Sequence, residues 1–175
     1  MNAKHFLDPD IFRVVPHAPG VYWMIWSKSS YGQGAVGPRP IPRLAGVDPW
    51  GILYIGCAGD LYDRATIGLV KLTNDAEPSW LWPALGDRYM LLDYLHSFHG
   101  LWTIPKENLA IAWEVLPSRV EANKTEQMMY YNYRQHFSEL PPFQRDFSMG
   151  LWIKSLEEKN MRGPLLMPTD RYFPG

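Results

Sequence analysis

Two charged residues fall where a helix should be apolar. Over 61–72, Leu61, Ala65, Gly68, Leu69 and Leu72 recur at the spacings of one helical face, and Arg64 lies among them at i+3 from Leu61. Over 118–137 the stripe is Ala122, Met129, Tyr130, Tyr133 and Phe137, and Glu126 completes it. Neighbouring Glu121 has a local use, because Ser118 and Glu121 form a Ser-x-x-Glu capping box for the free amides of the first turn. Glu126 has no such use. A guanidinium and a carboxylate on buried faces cost free energy unless they are paired or in use. One outcome is a buried ion pair between them, or side chains that reach the surface on their apolar stems. The other is a cleft in which the guanidinium grips a phosphate and the carboxylate holds a hard cation. Helical spacing alone leaves both open.

The strand before Arg64 is "ILYIGCA", 52–58, apolar on both faces as expected of a strand covered by helices. Asp60 can cap the helix beyond it, with Asp63 in the first turn, where the helix dipole favours an acid; this helix is predicted to run to about Leu72. An earlier strand is "GVYWMIWS", 20–27, followed by a stretch in which Gly and Pro recur every few residues and which reads as a loop. After Asp87, "RYMLLDYLHSF" reads as a second helix ended by Gly100, "LAIAWEVL", 109–116, as a third strand, and 118–137 as the strongest helix, terminated by the prolines of "SELPPFQ". The tail from 148 carries a short helix candidate, "LWIKSLEEK", and a proline-broken end. The order β, β, α, α, β, α predicts an α+β fold: a small three-stranded, mostly antiparallel sheet flanked by helices. We expect a single domain over 1–175, with an insertion at about 28–50 and a C-terminal extension at about 148–175.

Composition narrows the classes further. The 16 prolines and 14 glycines are too many for a plain helix bundle, and the 8 tryptophans and 10 tyrosines too many for a disordered chain. A net charge of -1 means that any polyanion must be held by local clusters of Arg and Lys. The single cysteine, Cys57, allows neither an internal disulfide nor a cysteine zinc cage. With no basic leader and no apolar run of about 18 residues, the expectation is a soluble, cytoplasmic protein that makes no membrane contact.

"GVY" at 20–22, "YIG" at 54–56, Arg64 on the helix that follows, and Glu126 inward on a later helix together resemble the GIY-YIG nuclease family over roughly residues 19–147. The resemblance implies an endonuclease that hydrolyses DNA with Mg²⁺ (or Mn²⁺). It implies Glu126 as the sole protein ligand of the metal, Arg64 on the scissile phosphate, and Tyr22 and Tyr54 on the attacking water, with Tyr22 as base and Tyr54 assisting. A phenol titrates near 10, so such a base needs a cation or an arginine to lower it.

The chain departs from the family pattern at several positions. Many members have a lysine directly after YIG, where this chain has Cys57, and a histidine one turn beyond the arginine, where it has Gly68. His96 or His99 would have to supply that histidine, and Gln144 stands for an asparagine expected after the last helix. Residues 23–53, between the two tyrosines, replace a much shorter connection and carry Arg39 and Arg43 on a proline-stiffened segment, read either as a solvated loop or as a DNA-contacting arm. These departures leave a second function in view, a catalytically retired nucleic-acid-binding or scaffold domain. A nearly neutral domain holds DNA poorly alone, so a homodimer or a partner protein is expected.

Overall fold

In the computed structural model, residues 3–71, 74, 104–142 and 144 are described. Three long strands occupy the predicted segments: β2 (Gly20–Trp26), β5 (Ile52–Ala58) and β6 (Leu109–Val115). A fourth, β1 (Ala3–His5), pairs with β6, giving an antiparallel sheet in the order β1-β6-β2-β5. The expected three-stranded sheet is thus corrected to four strands. Three residues are too few for side-chain alternation to reveal β1 in the sequence.

Alternation across the pleat divides the core in two. Tyr22, Met24, Tyr54, Ile111 and Trp113 point to one face, where Ile11 of α1 (Ile11–Val14) and Leu61, Ala65 and Leu69 at α2 (Tyr62–Lys71) cover them. Val21, Trp23, Ile25, Ile55 and Ala112 point to the other, against Met129, Tyr130, Tyr133 and Phe137 of α3 (Arg119–Phe137). The α3 stripe is buried as its spacing requires, and Ser118 Oγ accepts the Glu121 amide at 3.2 Å to cap it.

The helix α2 is wound as a π-helix. With hydrogen bonds spanning i to i+5, adjacent pairs turn inward together, so Thr66 and Val70 join Ala65 and Leu69 in the core. The Thr66 hydroxyl is satisfied by the Tyr62 carbonyl. Arg64 is half-buried at the margin of that face.

The insertion, read from the sequence as a loop, contains a two-stranded ribbon of β3 (Ile41–Arg43) and β4 (Gly46–Asp48). Polar ties fasten it to the end of α3. Arg43 Nε meets Glu139 at 2.9 Å, and a further Arg43 nitrogen donates to the Leu140 carbonyl. The buried Asp48 carboxylate accepts from the amides of Trp50 and Ile52, each at 2.8 Å, and from the Tyr133 hydroxyl at 3.0 Å. The helix expected over 88–98, with His96 and His99, and the extension at 148–175 lie outside the described residues. Among the described residues no helix is long and apolar enough to cross a membrane.

Candidate active site

The sheet ends on β5, and the candidate residues gather around the outer edge of that strand. On its α2 face, Tyr22 of β2 stands directly opposite Gly56, and Tyr54 lies diagonally beside it with ring centroids 6.1 Å apart. Gly56 is required by contact: a Cβ there would lie 2.5 Å from Tyr22 Cζ and 2.6 Å from its hydroxyl. Gly20 is required similarly, since a side chain would strike the Glu114 carbonyl and Leu61. Both glycines of the two short motifs therefore make room, one for the first phenol and one for the strand that carries it. Tyr22 is fully enclosed and Tyr54 is 8% exposed.

On the α3 face, Glu126 reaches the same strand. Its Oε2 accepts from the Cys57 thiol at 3.0 Å and its Oε1 from the Tyr130 hydroxyl at 3.1 Å. The single Tyr130 hydroxyl proton is shared between Glu126 Oε1 and the Ile55 carbonyl at 2.6 Å, and the hydroxyl oxygen accepts from Gln144 Nε2 at 2.6 Å. Gln144 Oε1 in turn accepts the Ile55 amide at 3.3 Å. Ile55 lies on the edge strand, where backbone groups would otherwise be open, and Tyr130 with Gln144 satisfies both of them. Gln144 thus steadies the tyrosine that touches Glu126. Tyr130, read from the sequence only as packing, is the link between the strand edge and the carboxylate.

Electrostatics ties the two faces together. Burial pushes the Glu126 carboxyl above the usual range, while the Cys57 and Tyr130 hydrogen bonds and the positive charge of Arg64 pull the other way. Burial also pushes the Tyr130 phenol well up, reinforced by Glu126, Tyr54 and Tyr22. The Cys57 thiol is pushed up to about 12, first by burial and then by its bond to Glu126 and that group's charge, with Arg119 and Arg64 opposing. Cys57 is a neutral donor at physiological pH and not a thiolate ligand. Arg64 and Glu126 thus lie on the two faces about the end of β5.

An open cleft of about 690 Å³ lies at that end, lined by Cys57 and Gly59, by Asp60, Asp63 and Arg64 at the start of α2, and by Arg119 and Asn123 of α3. Tyr22, Tyr54 and Glu126 are not on its lining; Glu126 lies behind Cys57. A hard cation that keeps most of its waters needs one carboxylate, and each Glu126 oxygen keeps a lone pair beyond the hydrogen bond it accepts, but the carboxylate does not face the cleft. A second group with ligand spacing, His17, Asp60 and Asp63, has donor atoms within 4.8 Å of one another. Its bonds have local explanations, since Asp60 Oδ2 pairs with His17 Nδ1 at 2.9 Å and Oδ1 accepts the Asp63 amide at 3.2 Å.

The two insertion arginines separate. Arg39 is exposed, its guanidinium 4.4 Å from the centroid of Trp26. The Arg43 side chain is 5% exposed, bound to Glu139 and Leu140 and lying over Tyr133, so its charge is used inside the domain. No family model, curated protein or solved structure matches the chain.

Proposed function

We propose that the chain is a divalent-metal-dependent endonuclease of GIY-YIG type that hydrolyses DNA phosphodiester bonds. The observation that supports this function is that Arg64 on the cleft and Glu126 behind Cys57 lie about one strand end, beside two phenols in contact. Charges placed only to stabilise the fold would more simply close on each other as an ion pair; here the Glu126 oxygens take a thiol and a hydroxyl instead.

In this function Arg64 grips the scissile phosphate and offsets the charge that grows on its oxygens. For Tyr22 to be the base it must stand as the phenolate, taking the proton of the attacking water and returning to the phenol while Tyr54 orients that water; Tyr22 is fully enclosed and off the cleft lining, so water must be admitted along the α2 face for this step. The water oxygen bonds to phosphorus as the bond to the leaving sugar oxygen breaks, and that oxygen takes up a proton from solvent. Glu126 would hold a Mg²⁺-type cation, which supplies charge neutralisation at the phosphate. Cys57 and Tyr130 hold the Glu126 carboxylate in place, and Gln144 holds Tyr130. DNA is the partner, and a second copy or a partner protein adds the backbone contacts that a nearly neutral domain lacks.

One observation favours the retired-domain alternative: both Glu126 oxygens already accept hydrogen bonds from within the chain. Nicking of supercoiled DNA in Mg²⁺ by wild type, Tyr22→Phe and Tyr54→Phe separates the two. The nuclease loses about 10²-fold or more in rate with the base removed; an inert wild type that still binds DNA supports the retired domain.

A further inference from the structure

The cleft at the end of β5 holds a second guanidinium that the chemistry above leaves unused. Arg119 lines it together with Arg64, and its stem lies over Gly59, where a Cβ would stand 3.3 Å from Arg119 Cδ. Its charge acts on Cys57 ahead of that of Arg64. Arg119 is exposed at the cleft, so its charge is open to a ligand there. Arg119 is the first residue of α3, where the helix dipole disfavours a cation. Among the described residues Arg119 takes part in none of the ion pairs Lys4–Asp8, Arg13–Asp10, His17–Asp60 and Arg43–Glu139. Of the two acids on the cleft lining, Asp60 is bound to His17 and to the Asp63 amide.

We propose that Arg119 is a second phosphate-binding residue of the cleft, holding a phosphate next to the one Arg64 grips, so that the site takes a polynucleotide backbone and not a lone phosphodiester. A guanidinium presents a planar fork that matches two phosphate oxygens, and a stem laid on Gly59 limits the freedom lost when it does so. This inference rests on the phosphodiesterase function proposed above.

The test is the binding of a labelled DNA duplex without divalent metal, followed by fluorescence anisotropy from about 50 to 200 mM salt. Arg119→Ala and Arg119→Met each weaken binding about tenfold and reduce the slope of log K against log salt by about one, because one phosphate contact and its counterion release are lost. Arg119→Lys keeps the slope. The methionine variant retains an apolar stem over Gly59, so a loss confined to Arg119→Ala would assign the residue to packing and overturn the proposal. An unchanged slope in both variants while Arg64→Ala lowers it would overturn Arg119 and leave the nuclease standing. A wild type that binds no duplex at the lowest salt, even at a concentration high enough for a second copy to join, would overturn both.

Discussion

The phenol of Tyr22 lies across the backbone of Gly56, its partner in the β2–β5 ladder, closely enough that a methyl group at Gly56 would stand 2.5 Å from Cζ. The two residues come from different short motifs, and each explains the other. The ring has nowhere to retreat, since Tyr22 is fully enclosed between the sheet and α2. Gly56→Ala should therefore overpack the site and cost about 1–3 kcal/mol in a denaturant melt. Tyr22→Phe in the same background should not recover it, because the ring carbon as well as the hydroxyl is in the way.

The insertion arginines should differ in kind. Arg43→Ala leaves Glu139 and the Leu140 carbonyl without their partner in a nearly closed interface, and should lower stability by about 2 kcal/mol, below the full cost of breaking a buried pair because Glu139 is partly exposed. Arg39→Ala, which removes an exposed guanidinium over Trp26, should cost about 0.5 kcal/mol. Chemical denaturation of the two variants checks this, and equal losses would mean that the ribbon is not fastened through Arg43.

The three long strands and the long helix were legible because their apolar patterns run for seven or more residues. The inward position of Glu126 was legible for the same reason, from the stripe it interrupts. β1, β3 and β4 were not, since three residues cannot show a period, and Arg43 looked like a free charge because its partners Glu139 and Leu140 are far along the chain. The winding of α2 was hidden too, because the burial of Thr66 beside Ala65 depends on its hydroxyl bonding to Tyr62, which helical spacing does not show. Tyr130 and Gln144 reveal their use only through the open edge of β5, a property of the sheet and not of either local sequence.

The buried carboxyl should leave a mark on stability against pH. The native Glu126 carboxyl titrates above its ordinary value of 4.5, with burial as the main cause. Between 4.5 and the native value the folded chain holds a proton that the unfolded chain has released, so stability falls as pH rises through that window. Glu126→Gln removes this contribution and should be more stable than wild type at neutral pH, the two converging in acid. Mg²⁺ should raise the melting temperature of wild type and not that of Glu126→Gln, by mass action on the native state. Parallel curves for the two proteins, with and without Mg²⁺, would count against a titrating, cation-binding Glu126.

Glu126→Ala bears on the nuclease most directly, because each donor it deserts keeps another partner. The Cys57 thiol retains Asn123 Oδ1 at 3.0 Å, and the Tyr130 hydroxyl retains the Ile55 carbonyl. The variant should therefore stay folded, whereas a structural Arg64–Glu126 pair would leave Arg64 stranded and cost about 3–5 kcal/mol. The decisive measurement is the nicking of supercoiled DNA in Mg²⁺ by wild type and Glu126→Ala at equal concentration. Metal-dependent nicking is expected of wild type and none of the folded variant; an inert wild type, or a variant that nicks at the wild-type rate, would contradict the nuclease function.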